Sequence, residues 1–222
     1  MNRLFYFSSF FIILPFFCAS TLWGLTVDEL QKKMAESDLN LQTLEFNFTQ
    51  EAASSLAEEK RRSSGAAYVQ KPKKFRIEQV EPEKQLLISD GKSVYVYTPR
   101  FNQVVKDSYK KWFSKNIFFP GMSGFSNTLE QLNKEYLWVL KDEGALDGEK
   151  TFVAELTPFD KDRKETIKLW IDRDDFIPRK TELVSETLTL TTTVNGLKRN
   201  EILKPELFKF SRPEKSEMIS IP

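Results

Sequence analysis

Apolar and polar side chains alternate with a period of two residues along most of this chain, which assigns those segments to strands rather than helices. Leu44, Phe46 and Phe48 fall on one face of a strand, and Glu45, Asn47 and Thr49 take the other. Similar stretches, bounded by turn residues, predict strands over residues 65–69, 75–80, 85–89, 93–98 and 103–106, with Pro72, Pro82 and Pro99 between them. A second set covers 136–141, 151–157, 166–172, 179–186, 187–194 and 207–211, punctuated by Asp147-Gly148, Pro158 and Pro178. Ser89-Asp90-Gly91 reads as a tight hairpin turn. Eleven or twelve short consecutive strands imply one antiparallel meander that curls into a barrel or an open half-barrel. The chain shows neither a linker nor an internal repeat.

Two segments depart from that rhythm. Thr26-Val-Asp-Glu29 has the form of a capping box, followed by Leu30 and Met34 at helical spacing, so a helix opens the domain. Residues 107–131 lack alternation yet carry Trp112, Phe113, Ile117, Phe118, Phe119, Met122, Phe125 and Leu129, with Pro120-Gly121 and Gly124 as breaks. A connection this apolar must pack over something apolar, either as an ordinary helix covering a barrel end or as a movable lid.

The amino terminus reads as a targeting segment. After Asn2-Arg3 an apolar run from Leu4 to Ala19 ends among small residues, the form of a secretory signal cleaved after Ser20 or after Gly24. The run of 16 residues is short of the ~20 that a spanning helix needs, which disfavours an uncleaved anchor. A lipid-modified Cys18 is a further alternative, disfavoured by the bulky Phe16-Phe17 before it. The expected organisation is a signal over residues 1–24 and one domain over 25–222. Removing residues 1–24, with Arg3 the one charge among them, leaves 198 residues with 32 basic and 32 acidic side chains and no cysteine. Such a balance offers no phosphate-neutralising stripe, so no nucleic-acid partner is expected.

The reactive inventory is small. Histidine is absent and the one cysteine is Cys18, which removes His-centred triads and Cys/His zinc sites. Carboxylate pairs remain conceivable, but Asp160, Asp162, Asp172, Asp174 and Asp175 lie at hairpin ends interleaved with cations and read as solvated turns. No catalytic residue, metal or cofactor is expected, and a carboxylate-using periplasmic hydrolase is the enzyme alternative. A curled sheet with Phe, Tyr, Ile and Val on its concave face suits an apolar ligand instead. One buried acyl chain of ~15 methylenes would gain roughly 12 kcal/mol, so a carrier must cover its cargo incompletely to release it.

Particular residues carry a family resemblance: Phe46-x-Phe-x-Gln50, Lys71-Pro-x-x-Phe75, Leu87-Ile-Ser-Asp-Gly91 and Tyr95-x-Tyr-x-Pro99. Leu169-Trp-Ile-Asp172, Ile177-Pro178 and Phe208-x-Phe-x-x-Pro213 follow in order, so the likeness spans roughly residues 30–213. In these motifs the chain resembles the periplasmic outer-membrane lipoprotein carrier family, LolA. The resemblance implies an incomplete antiparallel β-barrel of eleven or so strands closed by a helical lid. It implies a monomeric periplasmic chaperone that takes outer-membrane-directed lipoproteins from an inner-membrane ATP-driven release complex and gives them to an outer-membrane lipoprotein receptor. The acyl-chain cavity would be lined by Phe46, Phe48, Phe75, Ile77, Val94 and Val96, under a lid of Trp112, Ile117, Phe118, Phe119, Met122, Phe125 and Leu129. Lys71 stands where the family often has an arginine that bonds lid carbonyls and latches the closed form. It is either a weaker latch or a solvated cation, and strand parity would put 71, 75 and 77 on one face. The alternative within the same fold is a lipid-sensing regulator that binds acylated ligands without transporting them.

Overall fold

The structure, a computed structural model, describes residues 25–56, 60–115, 125–146 and 148–220. The targeting segment expected at residues 1–24 lies outside them. The domain opens with α1 (Val27–Leu39), started by the expected capping box: Thr26 N–H donates to Glu29 Oε2 at 2.9 Å and Glu29 N–H to Thr26 Oγ1 at 3.2 Å. The Thr26 N–H, and after it the Thr26 hydroxyl that donates to the same oxygen at 2.9 Å, hold the Glu29 carboxyl below its ordinary pKa. Leu30 and Met34, one turn apart, are buried.

Six strands follow in a meander: β1 (Thr43–Ser54), β2 (Lys60–Gln70), β3 (Lys74–Glu81), β4 (Gln85–Asp90), β5 (Ser93–Thr98) and β6 (Gln103–Ser108). The helices α2 (Tyr109–Lys115) and α3 (Phe125–Glu135) interrupt it. A second meander, β7 (Tyr136–Leu146), β8 (Glu149–Pro158), β9 (Thr166–Asp172), β10 (Pro178–Val184) and β11 (Leu188–Arg199), returns to the first strand. The seam is β1 against β11, in antiparallel register from Leu44↔Arg199 to Ser54↔Leu188. With β12 (Glu217–Ser220) at one edge, one open sheet results, in the order β12-β6-β5-β4-β3-β2-β1-β11-β10-β9-β8-β7, and its two edges do not pair with each other. The incomplete barrel expected from the sequence is present in that form.

Two expectations are corrected at the carboxyl end. Residues 207–211 form no strand: a 3-10 turn covers Pro205–Phe208, and the chain beyond it lies against the outer face of the sheet, with Phe210 stacked on Tyr95 at 4.6 Å. The twelfth strand is β12 (Glu217–Ser220), and it pairs parallel with β6, so the sheet is not wholly antiparallel. Pro205 supplies no N–H and its fixed φ suits the start of a helical turn, while the aromatic spacing reflects packing rather than a ladder.

The turn at Ser89-Asp90-Gly91 forms as read. Gly91 has φ +96, and Asp90 Oδ1 accepts the N–H groups of Lys92 and Ser93, both at 2.8 Å. The buried Ser89 hydroxyl donates to Lys73 O at 2.7 Å, which ties this turn to the one between β2 and β3.

The inner face carries two apolar clusters. One lies on β1–β5 and contains Leu44, Phe46, Phe48, Ala67, Phe75, Ile77 and Val94. The other lies on β7–β10 under α1 and α3, with Leu30, Met34, Leu129, Leu132, Trp138, Leu156 and Leu169. A glycine makes room in the first: Phe48 faces Gly65 across the ladder, and a Cβ at 65 would sit 2.8 Å from the Phe48 ring and 2.1 Å from Glu78 O.

Candidate functional site

Alternation places Phe46 and Phe48 of β1, Phe75 and Ile77 of β3 and Val94 of β5 on the same inner surface, and all five join one buried cluster. Phe75 has no exposed surface. Val96 lies two residues from Val94 on β5 and is half-buried, without joining that cluster. The predicted cavity residues are thus brought together with one marginal member.

What covers them is α2. Tyr109 and Trp112 pack against the cluster, with the Tyr109 ring 6.5 Å from that of Phe75 and tilted by 49°. The helix is anchored where it starts: Tyr109 N–H donates to Lys92 O at 2.9 Å, and Lys111 N–H donates to the Ser108 hydroxyl at 3.2 Å. Burial pushes the Tyr109 phenol above its ordinary pKa. Lys73 Nζ lies 5.6 Å from the centre of the same ring, so the rim of the cluster is aromatic and cationic.

The other predicted lid residues divide. Leu129 is buried, but in the second cluster with Leu30 and Met34, so it roofs the other half of the sheet. Phe125 is the first residue of α3, and its side chain lies outside the described ones. Ile117, Phe118, Phe119 and Met122 lie outside the described residues.

Lys71 stands in the turn between β2 and β3, not on a strand, so the parity argument does not apply to it. Its ammonium donates to Asp38 O and lies 2.8 Å from Asp38 Oδ1, at the last turn of α1. The carbonyl it reaches therefore belongs to α1. Lys71 is 19% exposed and Asp38 1%, so the cation is paired rather than solvated. Asp38 was not among the sequence candidates. Its only signal was an acid at a helix carboxyl end, where the macrodipole disfavours negative charge and a cationic partner is needed.

The acids at the β9–β10 turn also require a correction. Asp175 is buried rather than solvated: Oδ1 accepts Ile177 N–H at 2.9 Å and Oδ2 faces Arg179 at 2.5 Å and Arg199 at 3.6 Å. Ser37 of α1 donates to Asp175 O at 2.5 Å, so the turn fastens the helix to the sheet. A pocket of about 260 Å³ opens beside it, lined by Lys33, Ser37, Asn40, Asp175, Phe176 and Arg199. Its mixed charge sets it apart from the aromatic cluster. Among the described residues no group of three or more Asp, Glu, His or Cys side chains could hold a metal ion.

At the opposite end of the second meander, Arg163 binds Glu135 Oε2 at 2.8 Å and Glu165 Oε1 at 2.5 Å and donates to the Tyr136 hydroxyl. The Tyr136 hydroxyl in turn donates to Glu165 Oε1 at 3.1 Å. Burial, with the Glu165 bond second, pushes the Tyr136 phenol up to about 12. This network clamps α3 to the loop between β8 and β9.

A family model described as outer membrane lipoprotein carrier protein LolA matches residues 39–211. An outer-membrane lipoprotein carrier protein of Legionella pneumophila is 27% identical over 229 residues, covering 99% of each chain. An uncharacterized protein of Methanocaldococcus jannaschii is also 27% identical, over 99% of this chain, but the chain spans only 62% of its length. Among solved structures, MucB is similar with a TM-score of 0.54 at 17% identity, over 83% of this chain and 62% of that one.

Proposed function

Because the chain belongs to the outer membrane lipoprotein carrier family, LolA, we propose that it carries acylated lipoproteins through the periplasm. In this reading it takes them from an inner-membrane release complex and gives them to an outer-membrane receptor. The observation that carries the reading is the aromatic cluster of Phe46, Phe48 and Phe75 with Ile77 and Val94, roofed by the seven-residue helix α2. Tyr109 and Trp112 occupy the space that acyl chains would take on binding. Swapping one apolar occupant for another keeps exposed apolar area small in both states. It also lowers the net gain per acyl chain below the full burial value, which permits release.

The enclosing parts act as follows. The sheet provides a fixed apolar wall, α2 is the displaceable cover, and the Lys71–Asp38 pair holds α1 to the β2–β3 turn while the cover moves. Incubating the purified mature protein with lipoprotein-loaded spheroplasts tests the reading. A soluble complex of carrier and lipoprotein is the expected product, and its failure to appear would refute transport. The second reading is a regulator of the same fold that binds acylated ligands and controls a partner protein; MucB of Pseudomonas aeruginosa has been solved in complex with MucA. Such a protein would release no lipoprotein in the spheroplast assay and would be retained by its partner in a pull-down.

A further inference from the structure

Although the chain is close to electrically neutral, its charge is unevenly placed around the aromatic cluster. Lys73 and Lys74 at the β2–β3 turn, Lys92 at the β4–β5 turn and Lys110 and Lys111 on α2 are all exposed. They come from three separate parts of the sequence, and direct contacts knit those parts together. Ser89 Oγ donates to Lys73 O, and Tyr109 N–H donates to Lys92 O. A Cβ built on Gly91 would lie 3.7 Å from Lys73 Cβ and 3.9 Å from Lys74 Cγ.

The acids within this corner are fewer than its lysines, and one of them, Asp90, lies opposite Lys74 in the β3–β4 register. Asp90 Oδ1 receives the N–H groups of Lys92 and Ser93, the buried Asp107 accepts Ser108 N–H at 2.6 Å, and Asp38 is paired with Lys71. No acidic residue occurs between Asp107 and Glu130 in the sequence. The half-buried Tyr109 and Trp112 stand beside these lysines.

We infer that this lysine rim docks the protein, with α2 facing the lipid, on an anionic phospholipid surface. A polyanionic plane fits the arrangement better than a small anion does. The five ammonium groups are spread over two turns and one helix rather than converging on one point, and Tyr and Trp are the side chains that settle at a lipid headgroup boundary. Docking there would bring the cover of the apolar cluster to the layer from which acyl chains emerge. The inference rests on charge placement and does not require the carrier reading.

The test is partition of the full mature protein onto vesicles of phosphatidylethanolamine with phosphatidylglycerol, compared with phosphatidylcholine alone, at low and high salt. Binding is expected to the anionic vesicles only and to weaken with salt. A Lys74→Gln/Lys92→Gln/Lys110→Gln variant should lose on the order of 100-fold in partition. A Lys60→Gln/Arg61→Gln/Arg62→Gln variant, changed at the far end of β2, should bind like wild type. Circular dichroism checks that both variants fold. The inference is overturned by wild-type protein that ignores anionic vesicles, by equal losses in the two variants, or by an unaffected rim variant. Capture of soluble polyglutamate without vesicle binding would overturn it too, in favour of an acidic protein partner. Binding of a fluorescent acyl probe by the same variants reads the carrier proposal separately, since neutralising the rim leaves the aromatic cluster intact.

Discussion

Replacing Lys71 by methionine keeps a long apolar side chain in the turn and removes its charge together with the donors that reach Asp38. The partner left behind is an Asp38 carboxylate that is 1% exposed. Removing one member of a buried ion pair costs about 3–5 kcal/mol, because the remaining charge is desolvated without compensation. Lys71 retains 19% exposure, which admits some water once the ammonium is gone and places the expectation near the lower limit, about 3 kcal/mol. Asp38→Ala should cost less, about 1 kcal/mol, since it removes an acid from a helix carboxyl end and frees Lys71 to reach solvent. The double variant should resemble Asp38→Ala alone, giving a coupling of about 2–3 kcal/mol. Urea denaturation of the four proteins measures it, provided the m-value stays constant. A coupling below about 0.5 kcal/mol, the scale of an exposed pair, would refute the view that this contact fastens α1 to the sheet. Hydrogen exchange locates the effect, and faster exchange in the last turn of α1 is expected.

Further expectations concern the cluster, the seam and the clamp. Phe75→Ala should cost about 3–5 kcal/mol by denaturation because the ring is fully buried. Phe75→Leu, which retains the fold, should weaken binding of a fluorescent acyl probe, and unchanged binding would remove Phe75 from the site. Gly65→Ala should destabilise by about 1–3 kcal/mol, since its Cβ meets backbone at Glu78 O and the Phe48 ring at once. A cost near zero would show that β2 can shift. Tyr136 is a neutral acid whose folded pKa, about 12, lies above the ordinary 10.0. Its contribution is present below pH 10 and lost as pH rises towards about 12, because the unfolded chain gives up that proton first. Ultraviolet titration should show one tyrosine ionising late, and Tyr136→Phe should abolish both that step and its share of alkaline destabilisation.

The strands were legible wherever one face is buried and the other wet, as with Leu44, Phe46 and Phe48, because burial itself imposes the period of two. Phe208 and Phe210 misled for the same reason: their spacing serves packing against the outer face, where no ladder forms. β12 gave no signal, being four residues long, at an edge and largely exposed. The aromatic cluster was readable because its members are large and strand-borne. Asp38 with Lys71 and Asp175 with Arg199 were not, because those pairs are formed by tertiary structure between distant segments. The lysine rim shows the same limit: Lys73 and Lys74 stand in a visible run, but Lys92 and Lys110 join them only through folding.

The seam between β1 and β11 sets a timetable. Leu44 must wait for Arg199, so the central pairing of the sheet cannot form until nearly the whole chain has been made. Contacts this distant in sequence make folding slow. The sheet is therefore sealed by the strand that arrives next to last, and until then its two meanders have no seam to hold them together.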